Sequence, residues 1–273
     1  MRAPSKKPAS CRVWAFTLLE LLVLLGCLAL ALLVWSPAIA RSSNPPTSWQ
    51  CLNNLRQLGI AWLAYSEDNR GRLVYNPSGP GTTSWTTGWI DFTSNPDNTN
   101  TDKLVNHVRY TNSAFLGPYV ISPRPFKCPA DLSSVVMTGQ RKARVRSVSM
   151  NSWMGEGSTK FDSSSPGQIY TNLHQFRVGK PANLFVFLEE HPQSINDGWL
   201  TIPTSPGTPV IIDFPASYHA GSCTFSFADG RAELHRWGDP RTMPSIDKII
   251  SFNVPSPGNV DLQWLRSHCT STE

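Results

Sequence analysis

The sequence predicts an α+β protein: an N-terminal transmembrane helix, then a helix packed on an antiparallel β-sheet with long loops. Three observations predict it. Residues 16–35 read FTLLELLVLLGCLALALLVW, apolar throughout apart from Thr17 and Glu20. At about 1.5 Å per residue such a helix spans roughly 30 Å, the thickness of a hydrocarbon core. Beyond it, Leu52, Leu55, Leu58, Trp62 and Tyr65 recur at steps of three or four, which is one apolar stripe on a helix. Later segments alternate polar and apolar residues as strands do, separated by stretches rich in Ser, Thr, Asn, Gly and Pro.

The leader, 1–15, carries Arg2, Lys6, Lys7 and Arg12 and no acid, so the positive-inside tendency places it in the cytoplasm and the bulk of the chain outside. Those four cations account for most of the formal charge of +5. The remainder is close to neutral, which gives no electrostatic case for nucleic acid as a partner. Glu20 stands alone in the apolar run. An ionised acid near the centre of a bilayer costs about 2.5 to 3.5 kcal/mol on insertion scales and calls for a partner. The transmembrane or assembly element is therefore placed at 16–40. Asn44-Pro45-Pro46 breaks any helix, making 41–47 a Pro-rich joint, and 48–273 is long enough for one extracytoplasmic domain with its own core. Three other readings of the stretch stay open: a cleaved secretory signal ending at Ala38-Ile39-Ala40, a lipoprotein box at Leu24-Leu25-Gly26-Cys27, and an uncleaved signal anchor.

Ala15-Phe16-Thr17-Leu18-Leu19-Glu20, between a basic leader and an unbroken apolar run, resembles the processing motif of type IV prepilins and type II secretion pseudopilins. The resemblance implies that a prepilin peptidase cuts between Ala15 and Phe16 and methylates the new amine. It also implies that Glu20 neutralises the amine of a neighbouring subunit in a filament. Ala15 departs from the family's usual glycine, and Pro37 falls where pilins carry a helix-bending proline. Four further segments resemble a branch of these proteins with a larger outer domain: CLNNLRQLGIAWLAYSEDNRGRL at 51–73, CPAD at 128–131, Glu190-His191-Pro192 with the SINDGW that follows, and His219-x9-Asp229-Gly230. The implied function is a structural subunit of a secretion pseudopilus or related filament, not an enzyme. Its implied partners are the prepilin peptidase, other pilin-like subunits and an inner-membrane assembly platform. Its implied location is the inner membrane, single-pass, with the outer domain periplasmic.

In chain order, a helix is expected over 47–67, with Thr47 and Gln50 as a capping box and a stop near Asn69-Arg70-Gly71. Residues 76–102 read as a long loop pinned by Trp85, Trp89 and Phe92. If exposed, such rings stack on sugars, so a glycan- or polymer-binding module is the alternative function. Residues 144–150 alternate as a strand with one wet face, and the basic run 141–146 reads as a solvated edge. NLFVFLE at 183–189 is apolar enough to be buried on both faces. Cys223, Phe225 and Phe227 alternate with Thr224 and Ser226, and Asp229-Gly230 suits the turn of a hairpin that returns over 231–237. His219 is expected to hydrogen-bond to that turn or a neighbouring loop. Residues 259–265 close the chain with one or two helical turns.

Of six cysteines, Cys51, Cys128, Cys223 and Cys269 fall in the outer domain. An oxidising compartment suggests two disulfides in any of three pairings, with Cys51–Cys128 and Cys223–Cys269 favoured, against the alternative of buried thiols. The six histidines show no HExxH or other paired metal spacing, and no GxSxG elbow or phosphate loop is present. No cofactor or metal is expected; the one alternative, implied by the resemblance to calcium-binding major pseudopilins, is a Ca²⁺ ion on Asp197 and Asp229 with Glu189, Glu190, His191 and Asp213 nearby in an oxygen-lined site, without EF-hand spacing.

Overall fold

The computed structural model describes residues 17–27, 46–177, 181–207 and 209–271. The chain divides into two compact units, Met1–Ser43 and Asn44–Glu273, with the division inside the expected 41–47 joint.

In the first unit, α1 covers 18–27. This corrects the expected transmembrane helix over 16–40. Among the described residues no helix is long and apolar enough to cross a membrane. Ala15, Phe16, Pro37 and the rest of 28–45 lie outside the described residues.

The second unit opens with α2 (Pro46–Asp68). It starts at Pro46, a residue suited to a first helical turn, so Thr47 sits within the helix and is not its cap. The helix stops where expected: the amide of Gly71 donates to the Ser66 carbonyl at 2.7 Å, and Arg70 and Gly71 take φ of 59° and 81°. Two short helices, α3 (Asp102–Val105) and α4 (Gly117–Val120), and a ribbon of β1 (Ser134–Met137) with β2 (Gln140–Ala143) follow. The central sheet consists of β3 (Val148–Asn151), β4 (Phe185–Glu189), β5 (Trp199–Leu200), β7 (Ser222–Phe227) and β8 (Ala232–Arg236), in the order β5-β3-β4-β7-β8. A second ribbon pairs β6 (Val210–Ile211) with β9 (Val254–Pro255), and α5 (Val260–Cys269) ends the described chain.

The sheet is mixed, which corrects the all-antiparallel expectation. β3, β4, β7 and β8 are antiparallel neighbours, but β5 runs parallel to β3, pairing Met150 with Trp199. The cause is the connection 190–198, which reverses the chain after β4 and brings it back on the free edge of β3 in that strand's own direction.

Both faces of the sheet are covered. Leu55, Leu58, Ala61 and Trp62 of α2 share one apolar cluster with Val186 and Phe187. Leu265 and Cys269 of α5 share another with Phe185, Leu188, Cys223, Phe225 and Phe227. Every residue of β4 and β7 is therefore buried. The polar half of β7 faces a close approach: a Cβ added at Gly59 of α2 would lie 3.3 Å from the Ser226 Cβ. Trp85 pins the long loop as expected, fully buried, stacked on Phe126 at 6.0 Å and donating from Nε1 to the Gly198 carbonyl at 3.0 Å.

The basic run is not a solvated edge beyond residue 143. β2 is exposed, but Arg144 and Arg146 are buried, and both lie before β3, not on a strand. Arg144 donates to the carbonyls of Pro192 (2.6 Å) and Ile195 (3.1 Å). Arg146 donates to those of Val148 (2.8 Å) and Asp197 (2.6 Å). The two guanidiniums supply the donors that the irregular 190–198 connection lacks, and this draws them inward.

Candidate functional site

Four residues from four separate elements converge at one buried point. Cys51 comes from the first half of α2, Cys128 from the turn after Phe126, Glu189 from the last position of β4, and His219 from the loop before β7. Each offers one ligating atom, and these atoms all lie within 4.8 Å of one another. The local sequence explains each placement. In the CPAD turn the Asp131 amide donates to the Cys128 carbonyl, and the Cys128 amide donates to Ser147 Oγ at 2.6 Å. Ala220 and Gly221, at φ of 53° and 78°, turn the chain so that His219 points back under β4.

His219 Nε2 lies 3.1 Å and 3.2 Å from the two carboxylate oxygens of Glu189 and 3.5 Å from Cys128 Sγ. Glu189 also accepts from the Thr224 amide at 3.0 Å. Burial alone would lower the pKa of His219, but Cys128 and Glu189 hold it up, to about 10. Burial would raise the Glu189 carboxyl, and the same hydrogen bond to His219 brings it below its ordinary value. The Cys51 thiol is pushed far up by its contact with Cys128 and by burial. This arrangement is not a nucleophilic relay. Such a relay uses both ring nitrogens, whereas here Nε2 faces thiol and carboxylate together, Nδ1 has no hydrogen-bond partner among the described residues, and all four residues are buried.

The expected disulfides are absent: Cys51, Cys128, Cys223 and Cys269 are all buried free thiols. Cys51 and Cys128 do meet, but facing Glu189 and His219. Cys223 Sγ donates to the Glu189 carbonyl at 3.3 Å, while the Cys269 thiol turns to the Arg266 carbonyl within α5. The expected oxygen-lined Ca²⁺ set divides: Asp197 and Asp213 line one cleft with Glu190 close to Asp213, while Glu189 and Asp229 are held elsewhere. Glu189 faces the thiols, whereas Glu190 accepts from Ser149 and Ser194. Asp197 accepts from Ser78, Gly79 and Trp199, and Asp229 is held in the hairpin turn by the Arg231 amide. His219 meets Glu189 at the end of β4 and Cys128 in the neighbouring CPAD loop, and not the Asp229-Gly230 turn. Gly230, at φ 85°, rests that turn against Leu63 of α2.

Glu20 has a local partner that the sequence reading passed over. Its carboxylate accepts from the amide and hydroxyl of Thr17, both at 2.9 Å, and the Thr17 hydroxyl accepts from the Glu20 amide at 3.3 Å. Thr17-x-x-Glu20 is a reciprocal capping box at the start of α1, legible from spacing alone.

Asp213 provides a pH readout away from the quartet. It is buried and accepts from the Thr201 amide at 2.7 Å, and burial, with the charge of Asp197 adding, raises it from its ordinary 3.8 to about 7. The folded state then binds the proton more tightly than the unfolded chain, so this group's stabilisation is full below about 3.8 and is lost as pH rises to about 7. Asp213→Asn is expected to gain stability relative to the parent across that window, read as urea midpoints at pH 4 and pH 7.5. A constant difference between the two chains would refute the assignment.

Comparisons with protein-family models, with curated proteins and with solved structures each find no match.

Proposed function

We propose that this chain is a non-catalytic, pilin-like structural subunit of a secretion pseudopilus or related filament, assembled through α1. One observation carries the reading. The side chains of Leu18, Leu19, Leu21, Leu22, Val23, Leu24 and Leu25 are all between 51% and 76% exposed, so the apolar surface runs around the whole helix. A helix apolar on every side is stable only when others cover it, and copies of the same helix supply that cover. On this reading a prepilin peptidase exposes the amine of Phe16, and Glu20 of an adjoining subunit meets it.

The capping box makes the test sharp. Glu20→Gln retains an N-terminal cap but removes the charge, and is expected to abolish incorporation into filaments. Thr17→Ala weakens the cap and leaves the charge, and is expected to incorporate. Normal assembly of Glu20→Gln, or a mature chain lacking N-methyl-Phe at position 16, would sink the proposal. A second reading has its own observation: Trp89, Phe92 and Phe252, 36%, 46% and 49% exposed, line one cleft with Pro192 and Gln193, as a glycan-binding module would arrange them. Glycan binding by the outer domain, unaffected by Glu20→Gln, would favour it.

A further inference from the structure

We propose that Cys51, Cys128, Glu189 and His219 bind one structural Zn²⁺ ion at the centre of the outer domain. The geometry carries this. Zinc bonds of about 2.3 Å to sulfur and about 2.0 to 2.2 Å to nitrogen or oxygen place tetrahedral ligand atoms about 3.3 to 3.8 Å apart. The His219 to Glu189 separation of 3.1 Å and the His219 to Cys128 separation of 3.5 Å are close to those edges, and the whole quartet lies within 4.8 Å. Closure to bonding distance needs shifts of about an ångström or less in side chains on four supports.

The donor set selects the metal. Two thiolates, one imidazole and one carboxylate in tetrahedral array suit zinc, while an all-oxygen shell would suit calcium or magnesium. Four protein ligands and no exposure leave no open position for water or substrate, so the site is structural. Zinc takes sulfur as thiolate and histidine as neutral imidazole, so binding releases the two thiol protons and any proton on His219 to solvent. The ion would tie α2 to β4, to the CPAD turn and to the loop before β7, joining the first and last thirds of the domain. It also accounts for an acid and a histidine placed fully inside the core, where an uncompensated pair is costly. This inference is independent of the filament reading.

The test uses the full chain, purified under reducing conditions without added metal and again with Zn²⁺ alone. Elemental analysis is expected to give one zinc per chain. Co²⁺ in its place should give the thiolate charge-transfer and strong visible bands of tetrahedral cobalt. Chelation is expected to lower the melting temperature by more than 10 °C, and Zn²⁺ to restore it. Because Cys128→Ser could fail to fold, His219→Gln serves as a second variant, expected to lose tight stoichiometric binding. A folded, reduced wild-type chain that takes up neither ion, or a native chain with Cys51 and Cys128 joined as a disulfide, would overturn the proposal.

Discussion

Replacing Arg146 with methionine is expected to cost the folded domain about 3 to 5 kcal/mol, the range for removing one partner from a buried charged network. At about 2 to 4 °C per kcal/mol for a domain of this size, melting should fall by about 10 °C. The guanidinium donates to the Val148 and Asp197 carbonyls and to Ser149 Oγ at 3.2 Å, and lies 5.9 Å from the Trp85 ring. Burial brings its pKa down to about 10, so it remains charged at neutral pH, with the carboxylates of Glu190 and Asp197 favouring that charge. Methionine fills much of the space but leaves those acceptors without donors, each costing about 1 to 3 kcal/mol when buried. Arg146→Lys keeps the charge yet cannot reach both carbonyls at once, and should recover less than half of the loss. Denaturant midpoints for the two variants check the order. A methionine variant within about 1 kcal/mol of the parent would mean that the 190–198 connection finds other donors.

How much of this was legible depends on the range of the interaction. The α2 stripe, the Asn69-Arg70-Gly71 stop, the buried strand at β4 and the Asp229-Gly230 hairpin follow from local periodicity and turn chemistry, and all are present. The parallel β5 was not legible, because its direction is set by where the 190–198 connection crosses. The inward Arg144 and Arg146 were missed for the same reason: carbonyls from a distant segment called for donors, and no local pattern announces that. The quartet is intermediate. Each of its members belongs to a segment that stood out in sequence: the 51–73 segment that opens on Cys51, the CPAD turn, the buried strand ending in Glu189, and the His219 signature. What the sequence lacked was any spacing to join them, since metal motifs are recognised by short intervals and these four are far apart along the chain. The pairing of Cys51 with Cys128 was legible as a disulfide, and nothing in the spacing added Glu189 and His219 to it.

The hairpin strand also yields the second large effect. Phe225→Ala is expected to cost about 3 to 5 kcal/mol, the usual range for removing a fully buried phenylalanine. Phe225 is fully buried among Phe185 at 5.3 Å, Trp237 at 5.9 Å and Trp264 at 5.1 Å, all edge-on. Trp264 belongs to α5, so the loss should fall first on that helix: amide exchange over 260–269 should accelerate well beyond that over α2. Asn151 still holds the helix end, donating from Nδ2 to the carbonyls of Phe185 and Cys269 at 2.9 Å and 2.8 Å. The loosening should therefore be graded and stop short of detachment. Because β7 alternates, Phe225 lies on the face opposite Thr224, whose amide holds Glu189. If the two faces are coupled only through the strand, a folded Phe225→Ala chain keeps the Glu189 to His219 arrangement while losing the packing of α5. Equal acceleration of exchange in α2 and α5 would instead show that the sheet and both its layers unfold as one unit, with the buried quartet at the centre of that cooperativity.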